Sequence, residues 1–172
     1  MSLKERAGYY YFTLKKSCAE GILLGASEVY GLGLTEADAD LFAGFRTGMG
    51  CKSTCGSLIG AIAVLSRMYG QREDLKELCA GFVSAFEEKM ACGATDCATL
   101  AARYKTEANR CRAAVELTAE ALEELDPGAV LCRKTTPYGA QAIVRRESAP
   151  PGLKLSPLSI EELFVFMVKE ER

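Results

Sequence analysis

A chain of 172 residues, 49% hydrophobic and 26% charged, carries enough apolar surface for one ordinary core and does not need disulfide staples to fold. Its 21 basic and 23 acidic side chains leave a formal charge of −2, which offers no field to gather nucleic acid or an anionic membrane. Eight cysteines stand beside a complete absence of histidine and tryptophan, so imidazole acid–base catalysis, His-ligated zinc and bis-His haem are excluded, while thiol redox and metal–thiolate chemistry stay open.

In chain order, the pattern from about Glu5 to Tyr30 predicts a helix with Leu14, Cys18, Ile22, Gly25 and Val29 on one stripe, so Cys18 is expected to face inward. Gly31 and Gly33 end it, and Thr35 with Asp38 forms a capping-box start for a short helix through about Phe45. A glycine-rich turn, Gly44 to Gly50, leads into a helix from about Ser53 to Tyr69 whose inward stripe is Cys55, Leu58, Ile62, Leu65 and Tyr69. After Gly70 a further helix carries Leu75, Cys79, Phe82 and Phe86 on one face. Cys92 to Leu100 reads as a turn and a short helix, with Thr95 or Asp96 as its N-cap and Cys97 in the first turn. A last long helix from about Lys105 to Leu125 places Ala108, Cys111, Val115, Thr118, Leu122 and Leu125 on one stripe.

Asp126, Pro127 and Gly128 then break the helical pattern and mark a domain boundary. Val130 to Arg133 and Ala140 to Arg146 read as the strands of a β-hairpin, and a Pro-rich linker, Ala149 to Pro151, leads to a helix near Ser159 to Glu170. The expected architecture is mainly α: a compact bundle of five to six helices over residues 1–126, with a small β-hairpin plus helix over 127–172 that would serve docking or dimerisation. No apolar run approaches the roughly 18 residues of a membrane span, and the N-terminus shows no apolar core followed by a small-residue cleavage site. The expectation is therefore a cytoplasmic protein that is not membrane-embedded.

Cys18, Cys55 and Cys111 thus each lie on the inward seam of a different predicted helix, as a site shared within a bundle core requires. Cys55 and Cys97 fall near predicted helix N-termini, where unpaired N–H groups and the helix dipole stabilise a thiolate. Gly56 and Gly60 make a smooth helix face for close backbone approach.

The string CGSLIG, Cys55 to Gly60, within GMGCKSTCGSLIGAI, is close to the CGAxxG motif of the small cysteine-dependent redox-active family written C_GCAxxG_C_C. The chain resembles that family over about residues 5 to 125. SCAEGILLG is similar to the family's first cysteine at the start of a helix, TDCATL to its third, and NRCRAAVELTAEALEEL to its fourth. Position by position, the resemblance implies that Cys18, Cys55, Cys97 and Cys111 form the shared set. Ser57 stands where the family usually has alanine, and Cys51 is an addition before the motif.

Three uses of these thiols remain open: four cysteinates holding an iron–sulfur cluster, pairs cycling between dithiol and disulfide with an electron-transfer or thiol partner, or a closed zinc site. Zinc is disfavoured because the short-spaced pairs, Cys51/Cys55 and Cys92/Cys97, are not the shared set. Cys51 and Cys92 could still substitute as ligands or redox neighbours, whereas Cys79 reads as core and Cys132 has no evident partner. The alternative is a non-enzymatic interaction module whose cysteines are structural.

GMGCKST is a decoy for a phosphate-binding loop: Cys51 stands before Lys52 where Walker A needs glycine, and no strand precedes it, so no ATP site is expected. The tail from about Pro127, ending LSPLSIEELFVFMVKEE, resembles the extreme C-terminus of ABC-transporter ATP-binding subunits without their ATP-binding sequences. That resemblance implies a transporter as a partner. A homodimer joined through the tail is the other expectation.

Overall fold

The computed structural model describes residues 2–125, 130–136, 139–144 and 159, and the chain divides by its internal contacts into two units, Met1–Leu125 and Asp126–Arg172. The first unit is helical. Its α-helices are α1 Leu3–Gly8, α2 Cys18–Tyr30, α3 Glu36–Asp40, α4 Gly56–Tyr69, α5 Leu75–Lys89, α6 Cys97–Tyr104 and α7 Arg112–Glu124. A π-helical turn, Tyr9–Thr13, continues α1, and two tight turns, Ala43–Phe45 and Gly48–Lys52, separate α3 from α4.

In the second unit, β1 Val130–Thr136 pairs antiparallel with β2 Gly139–Val144. Residues 137–138 between them and, apart from Ser159, the expected terminal helix lie outside the described residues. So does the rest of the transporter-like tail.

The core of the helical unit is built where apolar stripes of α1, α2, α4, α5 and α7 meet. Leu3, Ala7, Ile22, Val64, Phe82, Phe86, Val115 and Ala119 are all completely buried there. Small residues decide how closely the helices approach. A Cβ on Gly60 of α4 would stand 2.8 Å from the Ala19 carbonyl oxygen and 2.9 Å from Ala19 Cα, so the α2 and α4 backbones touch at this point. Gly25 plays the same part between α2 and α1, where a Cβ would lie 2.8 Å from the Ala7 nitrogen.

Four helix boundaries differ from the sequence expectation. The helix expected over Glu5 to Tyr30 is interrupted between Thr13 and Cys18, and Leu14, expected inward, is 44% exposed. Local hydrogen bonding outweighs periodicity here. Ser17 and Glu20 form a capping box, with the Glu20 N–H donating to Ser17 Oγ at 3.3 Å and the Ser17 N–H donating to the Glu20 carboxylate at 2.9 Å. That carboxylate is buried and also accepts from Arg46 at 2.9 Å, which anchors the start of α2 to the turn before α4.

The helix expected from Lys105 begins only at Arg112, because Thr106 and Arg110 close a small antiparallel bridge and Arg110 takes a left-handed φ of 53°. The helix expected from Ser53 starts at Gly56, with Cys55 extended as its N-cap. The Thr35–Asp38 capping box is present as read, although α3 stops at Asp40 rather than near Phe45.

Candidate functional site

These corrected boundaries put every cysteine of the predicted set at the start of a helix. Cys18 is the first residue of α2 and Cys97 the first of α6, while Cys55 and Cys111 are the N-caps of α4 and α7. Periodicity places Cys18 and Cys111 in mid-helix, whereas the family resemblance puts Cys18 at the start of a helix, as it stands here. For Cys18 the overlooked signal is the adjacent Ser17-x-x-Glu20 box; for Cys111 it is the turn whose Asn109 N–H donates to Thr106 Oγ1 at 3.0 Å. Each of the four therefore stands at the positive end of a helix dipole.

Backbone pairing draws Cys55 and Cys97 together across 42 residues of sequence. The Cys55 N–H donates to the Thr95 carbonyl at 2.8 Å and the Cys97 N–H to the Ser53 carbonyl at 2.5 Å, with Thr54 opposite Asp96. The turn Gly48–Lys52 presses on this ladder. Gly48 has φ +58°, and a Cβ there would lie 2.7 Å from Cys97 Cβ and 2.7 Å from the backbone N and O of Ser53. Thr47, Met49 and Lys52 in the same stretch are also left-handed, an unusual concentration for non-glycine residues. The decoy loop therefore serves as a wall of the cysteine site.

Cys18 reaches the group through Gly56, whose position for a Cβ is 3.4 Å from Cys18 Cβ. Cys111 is held by Tyr11, a buried residue whose hydroxyl accepts the Cys111 N–H at 2.9 Å. Arg110 stacks 4.4 Å above the Tyr11 ring and donates to the Tyr11 carbonyl at 3.2 Å. Tyr11 belongs to the aromatic run Tyr9–Phe12; its ring packs in the core, while its hydroxyl acts on the site.

The thiols sense one another electrostatically. Burial, followed by the neighbouring thiols of Cys55, Cys111 and Cys97, pushes Cys18 up to about 12, with Arg110 opposing. Cys97 is raised by burial and then by Cys55, Cys111 and Asp96, against Lys105. Burial and then Cys55 raise Cys111, while Lys105, a hydrogen bond from Tyr11 and Arg110 pull it back. In all three, Cys55 is the foremost thiol neighbour, and it is itself 5% exposed. Thiols that raise one another in this way share a small, poorly solvated space.

Cys51 and Cys92 are not among the groups that chiefly shift these thiols. Cys51 is exposed and its thiol donates to the Gly48 carbonyl at 3.4 Å, while Cys92 and Cys79 are half-buried against the core. Cys18, Cys51, Cys55, Cys79, Cys92, Cys97 and Cys111 are all free thiols. Among the described residues, no three Cys, Asp or Glu side chains are grouped tightly enough to hold a single metal ion. Nor is any helix among them long and apolar enough to cross a membrane.

A family model described as "Putative redox-active protein (C_GCAxxG_C_C)" matches residues 16–125. No curated protein and no solved structure matches the chain.

Proposed function

The chain belongs to the C_GCAxxG_C_C family, described as redox-active, and from that membership we propose that it is an electron-transfer protein whose Cys18, Cys55, Cys97 and Cys111 together carry an iron–sulfur cluster. What supports this reading is that the four cysteines all stand at helix N-termini and that three of them are raised by burial and by neighbouring thiols of the set. Buried thiolates that repel each other need a counter-charge stronger than a half-helix dipole. Iron would supply it, and the four N-termini would then stabilise the residual negative charge of a thiolate-ligated cluster.

A cluster asks less of the sulfur spacing than a single ion does. Each cysteine of a multinuclear cluster binds its own iron, with sulfide between the irons, so its sulfurs stand farther apart than around one zinc. When bound, the cluster would exchange single electrons with a partner. The residues of the chain itself keep water away, through the burial of Cys55, and hold the cysteine backbone in place, the Tyr11 hydroxyl accepting the Cys111 N–H.

A second reading has its own support in the position of Cys55 as the foremost neighbour of each other thiol in the set. Cys55 could close a disulfide with one of them. Two thiols would become one disulfide, and their two electrons and two protons would pass to a partner's disulfide, which becomes two thiols.

Anaerobic purification followed by iron, acid-labile sulfide and zinc analysis of wild type and Cys55→Ser tests the first reading. Iron and sulfide in comparable amounts, lost in the variant, is the expected result. A metal-free protein that gains a reversible disulfide on oxidation favours the second reading. One that is metal-free and indifferent to oxidation overturns both, leaving an interaction module with structural cysteines.

A further inference from the structure

The loops that lead into the four cysteines share one sign of charge. They are residues 14–17 before Cys18, 41–55 ending at Cys55, 90–96 before Cys97 and 105–111 ending at Cys111. Together they hold six basic side chains, Lys15, Lys16, Arg46, Lys52, Lys105 and Arg110. Against these stand two acidic ones, Asp96 and Glu107, which leaves a net of +4. The chain as a whole is at −2, so everything outside these loops stands at −6. The other interhelix loops show no such bias: 31–35 has no charged side chain, and 70–74 sets Arg72 against Glu73 and Asp74.

Contacts hold these cations beside the thiols. Arg110 stacks on the Tyr11 ring, whose hydroxyl accepts the Cys111 N–H. Lys105 flanks the Thr106–Arg110 bridge on the side of Cys111, and it acts on both the Cys97 and Cys111 thiols. Lys15 lies 4.6 Å over the Phe12 ring, which it shares with Arg112, the neighbour of Cys111. Lys52 closes the turn that presses on Cys97. Lys16 and Arg46 are paired with Glu36 and Glu20. Lys15, Lys52, Lys105 and Arg110 have no carboxylate partner among the described residues, and the three lysines are exposed. Of the two acids, Asp96 is turned onto the Thr99 N–H at 2.8 Å. On the same loops two large apolar side chains, Leu14 and Met49, are 44% and 43% exposed.

We infer that this face of the helical unit is a docking surface for an acidic protein, one that presents carboxylates around a small apolar contact. The cations steer such a partner toward the cysteines, and Leu14 and Met49 supply the apolar contact that the middle of an interface needs. A nucleic acid strand is a poorer fit, because beyond the loops its phosphates meet the strongly acidic remainder of the chain. The inference rests on the reading of the cysteines as exchanging electrons with a partner, and it names the chemistry of that partner.

Two capped pentapeptides test it, one with glutamates and the other with lysines around a central cysteine held as a thiopyridyl mixed disulfide. A protein thiolate attacks the peptide sulfur, a new disulfide joins peptide to protein, and thiopyridone leaves with the electron pair and takes up a proton. The probe thiol is Cys51, exposed in the Gly48–Lys52 turn and outside the four-cysteine set. Its exchange is followed by peptide mass spectrometry in the reduced, metal-free full chain near neutral pH. The acidic-to-basic rate ratio cancels the reactivity of the thiol itself. At low salt this ratio is expected to be about tenfold higher in wild type than in Lys15→Ala/Lys52→Ala/Lys105→Ala, and to fall toward the variant's value at about 1 M salt.

A ratio that the substitutions leave unchanged, or that does not fall with salt, overturns the inference. Should the variant fail to fold, the salt series on wild type decides by itself. A short single-stranded DNA that shields Cys51 at lower concentration than a glutamate peptide of equal charge also overturns it. So does a chain that dimerises at low salt while the variant does not, which assigns the face to a second copy. Iron and sulfide analysis of Cys55→Ser reports on the parent reading without involving these lysines, so either can fail alone.

Discussion

Raising the pH of the reduced, metal-free protein should remove stability in a window set by Cys18. Its thiol titrates at about 12 in the folded chain against an ordinary 9.0. The folded state therefore holds this proton more tightly than the unfolded state. The sign follows directly: the contribution is fully present below about pH 9 and is lost as pH climbs through about 12. At 1.36 kcal/mol for each unit, that gap corresponds to a loss of about 4 kcal/mol, a large part of the stability of an ordinary domain. Cys97 and Cys111 are raised in the same direction and steepen the fall. The check is urea unfolding under reductant without oxygen, repeated at increasing pH for wild type and Cys18→Ala. The variant has no thiol to ionise at this position, so its stability should fall less steeply above pH 9. Parallel losses in the two proteins would show that Cys18 does not share a crowded, desolvated space with the other thiols, and the electrostatic argument for the site would fail with it.

Gly60→Ala should lower stability by about 1–2 kcal/mol, measured as a lower Tm by circular dichroism. The new methyl meets the Ala19 backbone at 2.8–2.9 Å, which cannot swing aside, and this outweighs the gain of about 1 kcal/mol in helix propensity. An unchanged or raised Tm would mean that α2 and α4 do not touch there. Gly48→Ala should leave the helical spectrum largely intact while reducing bound iron, or disulfide formation between Cys55 and its neighbours. Its φ of +58° disfavours alanine by roughly 1–2 kcal/mol, and its Cβ would displace Cys97. Full retention of both chemistries would show that this turn does not position Cys97.

Much of the helical unit was legible because its signals are local. The Thr35–Asp38 box, the Asp96 cap before Cys97, and the apolar faces of α4 and α5 act within one or two helical turns, and the structure contains them. Periodicity misled where a cap lay inside a periodic run. The stripe through Leu14, Cys18 and Ile22 hid the Ser17–Glu20 box that restarts the chain, and the stripe through Ala108 and Cys111 hid the left-handed turn at Arg110. An apolar residue satisfies either reading, whereas a capping hydrogen bond satisfies only one.

The order of the cysteines, the motif around Cys55, and the lack of imidazole were properties of the sequence by itself, and they limited the chemistry to thiols before any fold was known. The meeting of those thiols was a matter of tertiary structure. It depends on the Cys55–Thr95 and Ser53–Cys97 bonds, on glycines that let α2 reach α4, and on the pairing of Ser57 with Thr118. Each of these contacts joins residues tens of positions apart, so no local pattern encodes it. They arise only when the apolar faces of the helices are buried against one another.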